Sequence, residues 1–184
     1  MKLIKEFPNI DRDWTIFLDR DGTINQLLPN RYVKTVDEFK FIPGAKKAIN
    51  LFSQRFKYVI IVTNQQGIGK ELMTHKNLAE IHNFLDAEIS GNGGRIDQIF
   101  YCPHLEVFNP ACRKPNIGMA YQALENFPDI DFRKSIMVGD SSCDIEFGNR
   151  LKMYSVWIQN SQNKEKVDPN MIVSSLDELA MYLT

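Results

Sequence analysis

The sequence has few cysteines and no long apolar run. Three of its 184 residues are cysteine, a small and odd number that excludes a disulfide framework and predicts reduced thiols. No stretch approaches the roughly 18 apolar residues that a membrane-spanning helix needs. The N-terminal segment has no apolar core followed by a small-residue cleavage site, so we expect no secretory signal. These absences predict a cytoplasmic protein without a membrane partner.

The chain also has no excess of charge of either sign. It carries 22 basic and 23 acidic side chains, a formal net charge of -1. Nucleic-acid binding needs a basic patch, so we expect no nucleic-acid partner. The hydrophobic fraction of 43% suffices for a buried core and excludes intrinsic disorder. The length fits one domain over residues 1–184, which we expect to be a monomer.

Short apolar runs alternate with segments of helical periodicity. The apolar runs predict buried strands at 14–18, 58–63, 96–101, 135–138 and 154–158. Thr74 is a predicted N-cap, and Ser175 begins a predicted capping box. This alternation predicts an α/β fold with a Rossmann-like, doubly wound, mostly parallel sheet and helices on both faces. In such sheets, ligands bind beyond the carboxyl ends of the strands.

Polar side chains follow four of the predicted strands. The groups in question are Asp19 and Asp21, Thr63 and Asn64, Arg113 and Lys114, and Asp140 with Asp144. Clustered carboxylates repel one another and need a cation, and Mg²⁺ is a hard ion that keeps sites for water and phosphate. A hydroxyl, an amide and an ammonium group together match the three equatorial oxygens of a phosphoryl group. One carboxylate can attack phosphorus, and another can exchange protons with the leaving oxygen and water. The sequence therefore predicts a magnesium-dependent phosphatase that acts on a small phosphorylated metabolite.

Several motifs resemble those of the haloacid dehalogenase-like phosphatases. They are Asp19-Arg-Asp-Gly-Thr-Ile, Val62-Thr-Asn-Gln, Arg113-Lys-Pro and Val138-Gly-Asp with Asp144. Thr63-Asn-Gln-x-Gly67-Ile and Tyr101-Cys-Pro-His resemble, within that family, the D-glycero-D-manno-heptose 1,7-bisphosphate 7-phosphatases and their histidinol-phosphatase relatives. The resemblance runs from about Trp14 to the C-terminal helix. It implies the doubly wound fold without a large cap domain.

The resemblance also implies catalytic and metal-binding roles. Asp19 would be the nucleophile and a magnesium ligand. Asp21 would be the general acid/base, and its backbone carbonyl would reach the metal. Asp140 would be the third metal contact. Thr63 would hold the transferring phosphoryl group, and Lys114 would neutralise its charge.

Substrate-binding roles follow from the same resemblance. They fall on Asn64, Gln65, Lys70 and Arg113, and the guanidinium fork of Arg113 suits a second, non-reacting phosphate. The implied reaction removes the 7-phosphate of a heptose 1,7-bisphosphate through an aspartyl-phosphate intermediate. Histidinol phosphate or another small sugar phosphate is the alternative substrate. A polynucleotide 3′-phosphatase and a non-catalytic phosphate-binding protein are further alternatives, disfavoured by the balanced charge and by the intact set of carboxylates.

A cysteine-containing loop departs from the family pattern. Relatives usually hold a structural zinc on a Cys-x-His…Cys-x-Cys loop. Here Cys102, His104 and Cys112 align with three of the ligands, whereas Pro110 stands at the fourth. Two interpretations are open: an incomplete zinc site with a non-protein fourth ligand, or a metal-free loop. Structural zinc is normally four-coordinate, which favours the metal-free loop.

Overall fold

A six-stranded parallel sheet forms the centre of the protein. The computed structural model describes residues 5–28, 31–159 and 167–183. The strands are β1 (Thr15–Leu18), β2 (Tyr58–Asn64), β3 (Gln98–Cys102), β4 (Ser135–Gly139), β5 (Tyr154–Ile158) and β6 (Met171–Val173). Their order is β3-β2-β1-β4-β5-β6, and every neighbouring pair is parallel. The predicted doubly wound α/β fold is confirmed.

Helices follow the strands along the chain. The α-helices are α1 (Ala45–Arg55), α2 (His75–Gly91), α3 (Gly118–Asn126), α4 (Ser142–Arg150) and α5 (Leu176–Ala180). Short 3-10 helices occupy Val36–Glu38, Glu106–Phe108, Phe132–Lys134 and Met181–Leu183. The predicted N-cap of α2 is confirmed, because the Thr74 hydroxyl accepts a hydrogen bond from Asn77 N at 3.1 Å. No helix of the described ranges combines the length and the apolar character needed to cross a membrane.

The two faces of the sheet pack against different helices. Alternate residues of β1 point in opposite directions, so Ile16 and Leu18 join one apolar cluster while Phe17 joins the other. The first cluster includes residues of α1, α2 and α5, and the second includes residues of α3 and α4. Within the described residues, no large cap domain is inserted between these elements. The carboxyl edge of the sheet is therefore covered only by loops.

The direction of winding reverses between β1 and β4. From β1 the chain builds outward through β2 and β3, and it then crosses back to add β4, β5 and β6 on the other side. Loops that leave β1 and β4 diverge at this point, so a crevice opens between them. Asp19 follows β1 directly and Asp140 follows β4. The topology thus brings the two carboxylates to the same crevice.

One of the six strands was not predicted from the sequence. Residues 171–173 form β6, which pairs with β5 from Val156↔Met171 to Ile158↔Val173. Three residues are too few to show the alternation of apolar and polar side chains that identifies a strand. The strand forms because its residues pair with β5.

Candidate active site

The polar residues predicted at four strand ends converge on one cavity. This cavity has a volume of about 230 Å³ and is lined by Asp19, Asp21, Leu27, Thr63, Asn64, Arg113, Lys114, Asp140, Ser141, Cys143 and Asp144. Each strand from β1 to β4 contributes through its own last residues or the loop that follows it. We name it the crevice cavity.

Lys114 is the electrostatic centre of the cavity floor. Its Nζ atom donates to Asp19 Oδ1 at 2.7 Å, to Asp144 Oδ1 at 2.6 Å and to the carbonyl oxygen of Val62 at 2.6 Å. The lysine side chain is 1% exposed, so these contacts are screened little by water. Burial alone would lower the pKa of Lys114, but the two carboxylates outweigh it and raise that pKa. The ammonium group is therefore permanently charged.

Three carboxylates share this single buried ammonium group. One oxygen from each of Asp19, Asp140 and Asp144 lies within 4.8 Å of the others. Burial raises the pKa of Asp19 to about 7. The charge of Lys114 lowers this pKa, but the repulsion of Asp144 adds to the increase. Burial and the repulsion of Asp19 and Asp144 raise the pKa of Asp140 to about 8. Although Lys114 touches Asp19, one positive charge cannot offset three negative ones, so the cluster has an excess of negative charge.

This cluster has the donor chemistry of a magnesium site. Mg²⁺ binds carboxylate oxygens, and a cation would relieve the repulsion that raises these pKa values. Both oxygens of Asp144 already accept hydrogen bonds, Oδ1 from Lys114 Nζ and Oδ2 from Ser141 N at 3.0 Å. Asp19 and Asp140 are therefore better placed as metal ligands. Asp140 packs on Gly22, where a Cβ atom would lie 2.1 Å from Asp140 Oδ2. The residues present therefore fit a divalent cation held between the β1 and β4 loops.

Asp21 lies beside this cluster in a different environment. Arg20 Nη2 donates to both of its carboxylate oxygens, at 2.9 and 2.8 Å, and Asn25 Nδ2 donates at 2.9 Å. Gln65 Nε2 donates to Asp21 Oδ2 at 2.8 Å. Burial would raise the pKa of Asp21, but the charge of Arg20 and these hydrogen bonds lower it. Two carboxylates two residues apart are thus tuned in opposite directions.

Thr63 and Asn64 end β2 and support the cavity in different ways. The Thr63 hydroxyl accepts from Gln65 Nε2 at 2.9 Å and lines the cavity. The Asn64 amide brackets the backbone of Lys114: Asn64 Nδ2 donates to Lys114 O at 3.1 Å, and Lys114 N donates to Asn64 Oδ1 at 3.0 Å. The Asn64 side chain, which was predicted to bind substrate, therefore braces the backbone of Lys114.

Two predicted substrate-binding residues lie elsewhere. Gln65 is buried beneath the cavity and bonded to Asp21 and Thr63, so it orients these groups and does not line the space a substrate would fill. Lys70 is exposed, and its Nζ atom lies 5.4 Å above the centre of the Tyr32 ring. The residues that line the cavity include neither of them.

Arg113 lines the cavity and has one guanidinium nitrogen without a protein partner among the described residues. Its Nη2 atom donates to Glu106 Oε2 at 3.1 Å. Its Nη1 atom is buried and meets no hydrogen-bond acceptor in the described part of the chain. A buried guanidinium nitrogen without an acceptor is costly, so the position favours an anionic ligand.

The incomplete zinc site, the less favoured of the two interpretations of the cysteine-containing loop, is not formed. Cys102 and Cys112 are joined by a disulfide with an S–S distance of 2.24 Å, and His104 is exposed. Sulfurs bonded to each other are not thiolates and cannot serve as zinc ligands. The expectation of reduced cysteines is wrong for this pair, because the end of β3 and the following loop bring two residues ten positions apart to a Cα–Cα distance of 5.3 Å.

Sequence reasoning also missed residues that structure the site. Asp144 was noted only as part of a motif, yet it is fully buried against Lys114. Arg20 and Asn25, which bond to Asp21, were assigned no role. The signal that could have identified Arg20 is its charge in an otherwise buried strand end, since a buried guanidinium needs a carboxylate partner.

Comparisons with known proteins agree with this geometry. The family described as HAD-hydrolase-like matches residues 111–179. D-glycero-alpha-D-manno-heptose-1,7-bisphosphate 7-phosphatase of Mycobacterium tuberculosis is 37% identical over 138 residues, which cover 75% of this chain and 73% of that protein. The protein of the same name from Campylobacter jejuni is 33% identical over 150 residues, 82% of this chain and 84% of that one. The chain belongs to the haloacid dehalogenase-like phosphatases.

A solved structure of this phosphatase family extends the likeness to three dimensions. D,D-heptose 1,7-bisphosphate phosphatase from B. bronchiseptica, complexed with magnesium and phosphate, superposes with a TM-score of 0.83 at 30% identity. The match covers 92% of this chain and 97% of that one. The fold and the phosphatase activity of the family therefore apply to nearly the whole chain.

Proposed function

We propose that this phosphatase removes the 7-phosphate of a heptose 1,7-bisphosphate with the help of Mg²⁺. The observation that carries the proposal is the pairing, in one cavity, of a phosphoryl-transfer centre with the guanidinium group of Arg113. A bisphosphate presents one phosphate to each. Relatives named for this reaction, and a solved relative that holds magnesium and phosphate, support it.

The residues of the cavity divide the reaction between them. Asp19 attacks phosphorus and forms an aspartyl phosphate, while Lys114 offsets the charge on the transferring group. Asp21 protonates the leaving sugar oxygen, for which it must first take up a proton against the pull of Arg20, and as a carboxylate it later takes a proton from the water that hydrolyses the intermediate. Asp19, Asp140 and the Asp21 backbone carbonyl would hold Mg²⁺, which supplies positive charge to the phosphoryl oxygens. Thr63 orients the phosphoryl group from the end of β2.

A substrate panel tests the specific assignment. Phosphate release is measured with Mg²⁺ on both anomers of heptose 1,7-bisphosphate, on histidinol phosphate and on a 3′-phosphorylated oligonucleotide. We expect kcat/KM to be highest for one of the heptose anomers. Relatives are named for the alpha and for the beta anomer, so both must be included. A higher value for histidinol phosphate, or equal slow turnover of all four, would contradict the heptose assignment.

The Asp19→Asn variant tests the mechanism separately. An amide cannot serve as the nucleophile, so we expect phosphate release to disappear from every substrate in the panel. Persistent turnover would show that another group attacks phosphorus.

We also propose a cytoplasmic monomer that acts on a diffusible sugar phosphate. The balanced charge of the chain supports this, because it offers no broad surface to a polyanion or a membrane. Cell fractionation and size-exclusion chromatography with light scattering test location and oligomeric state.

A further inference from the structure

A line of buried polar contacts leads from Asp21 away from the crevice cavity. The Arg20 side chain is completely buried, and its Nη2 atom grips both oxygens of Asp21. Its Nη1 atom lies 3.2 Å from Nε2 of His82, which projects from α2. The three side chains thus connect the cavity to a helix on one face of the sheet.

The chemistry of arginine fixes the direction of the second contact. A guanidinium group has only donors and stays protonated, so Arg20 donates and His82 Nε2 accepts. His82 is therefore neutral and carries its proton on Nδ1. Burial and the neighbouring charge of Arg20 lower the pKa of His82 to about 3, which agrees with an obligate acceptor. The ring is further fixed by an edge contact with Tyr101, with centroids 5.9 Å apart.

This arrangement costs stability, which argues against a purely structural purpose. A buried guanidinium needs all its donors satisfied, yet Arg20 Nε has no partner in the described chain. Arg20 therefore does not sit where its own hydrogen bonding is best satisfied. What it does achieve is to hold both oxygens of Asp21 with Nη2 while its Nη1 atom is held by His82, so the position of the Asp21 carboxyl group is tied to α2.

We propose that Arg20 and His82 are positioning residues that aim the Asp21 carboxyl group at the leaving oxygen of the substrate. Arg20 acts on Asp21 directly, and His82 acts through Arg20. Neither lines the crevice cavity. The inference rests on the proposed role of Asp21 in proton transfer.

The leaving group separates this role from a general structural one. A sugar alkoxide departs only if it is protonated, so a misdirected Asp21 slows that reaction. The 4-nitrophenolate ion departs without a proton, so the same fault has little effect on the transfer of its phosphoryl group to Asp19, which is the step that kcat/KM reports. Hydrolysis of the aspartyl phosphate also needs Asp21, but it is the same for both substrates and does not enter kcat/KM. A variant that merely lowers the folded fraction reduces both rates by the same factor.

The test compares His82→Phe with His82→Gln. Phenylalanine keeps the ring contact with Tyr101 and removes the acceptor, whereas glutamine keeps an acceptor oxygen. We expect His82→Phe to lower kcat/KM for heptose 1,7-bisphosphate about 10-fold, since general acid catalysis is worth roughly 10²–10⁴-fold. The fall for 4-nitrophenyl phosphate should be less than about 2-fold on the same scale. His82→Gln should recover most of the lost rate.

Further variants complete the experiment. Asp86→Ala lies one turn along α2 from His82, is exposed, and should leave both rates unchanged. Arg20→Lys keeps the charge but has a single nitrogen, which cannot meet both Asp21 and His82, so it should reproduce the selective loss. Equal losses on the two substrates, or no loss in His82→Phe, would overturn the inference. The Asp19→Asn variant distinguishes these outcomes from failure of the proposed function, because it alone tests the nucleophile.

Discussion

The phosphoryl-transfer centre differs in construction from residues 103–113, which lie between β3 and Lys114 and which we call the loop. In the centre, the side chains of Asp19, Lys114 and Asp144 are 11% exposed or less, and Lys114 bonds to the two carboxylates that follow β1 and β4. In the loop, Val107 and Phe108 are 81% and 74% exposed, and Arg113 contacts an exposed glutamate. The centre is fixed by buried contacts at the edge of the sheet, whereas the loop carries exposed side chains.

Because of this difference, we expect the centre to carry out the reaction and the loop to select the substrate. A rigid, buried set of charges stabilises a transition state because it needs no reorganisation when the reaction occurs. A loop with few buried contacts can change without disturbing the sheet. We therefore expect substitutions in the centre to lower kcat and stability together, and substitutions in the loop to change KM alone.

The largest effect is expected for Lys114→Met. This change leaves Asp19 and Asp144 buried without their cation, so kcat should fall by about 10³-fold or more. The free energy of unfolding should fall by about 3 kcal/mol, as when one partner of a buried pair is removed. Steady-state kinetics and urea denaturation measure the two quantities.

Lys46→Met is the matched control for the buried lysine. Lys46 pairs with Glu88 at 3.0 Å on the surface, where an ion pair contributes about 1 kcal/mol or less. Unchanged activity is expected. If the two variants lost similar stability, the contrast between a buried centre and a solvated surface would be wrong.

Gly22→Ala should have the next largest effect. Gly22 has φ +87°, and an added Cβ would collide with the Asp140 carboxyl group. We expect about 1–3 kcal/mol of destabilisation from backbone strain and a marked fall in kcat as Asp140 is displaced. Gly91→Ala is the control, since a Cβ at that position meets nothing within 4 Å. A fully active Gly22→Ala enzyme would show that Asp140 needs no fixed place.

Arg113→Gln tests the loop side of the comparison. Loss of the guanidinium group should raise KM for heptose 1,7-bisphosphate by about 10-fold or more, because a charge-assisted hydrogen bond contributes roughly 1.5–3 kcal/mol. 4-Nitrophenyl phosphate has no second phosphate, so its kcat and KM should stay unchanged. Glu106→Gln removes only the exposed partner of Arg113 and should change KM less than about 3-fold. Equal losses on both substrates would assign Arg113 to the transfer centre.

The same contrast explains what could be predicted from the sequence. Asp19, Thr63, Lys114 and Asp140 could be placed because a parallel sheet brings the ends of its strands to one edge, so local motifs become neighbours. The link from Arg20 to His82 spans 62 positions and depends on how α2 packs, which no local pattern records. The Cys102–Cys112 bond was missed for a related reason: spacing and the family pattern suggested metal ligands, and only the fold of the loop brings the sulfurs together.

The one prediction that changes no residue and should leave the reaction itself unaltered is a pH-dependent change in thermal stability caused by Mg²⁺. The folded-state pKa values of Asp19 and Asp140 are raised from 3.8 to about 7 and about 8. Between pH 3.8 and about pH 8, the folded protein binds more protons than the unfolded chain. The contribution of the two groups to stability therefore falls as the pH rises. In EDTA, Tm should therefore be lower at pH 8 than at pH 5.

Mg²⁺ should reverse this trend because it binds the ionised carboxylates. At a concentration about 100-fold above Kd, the gain at pH 8 is roughly 2.7 kcal/mol, or about 5–10 °C in Tm. At pH 5 protons compete for the same oxygens, so the gain should be smaller. Differential scanning calorimetry at both pH values, with Asp140→Asn as the control that loses the Mg²⁺ effect, measures the difference. An equal gain at the two pH values would mean that Mg²⁺ binds outside this carboxylate cluster.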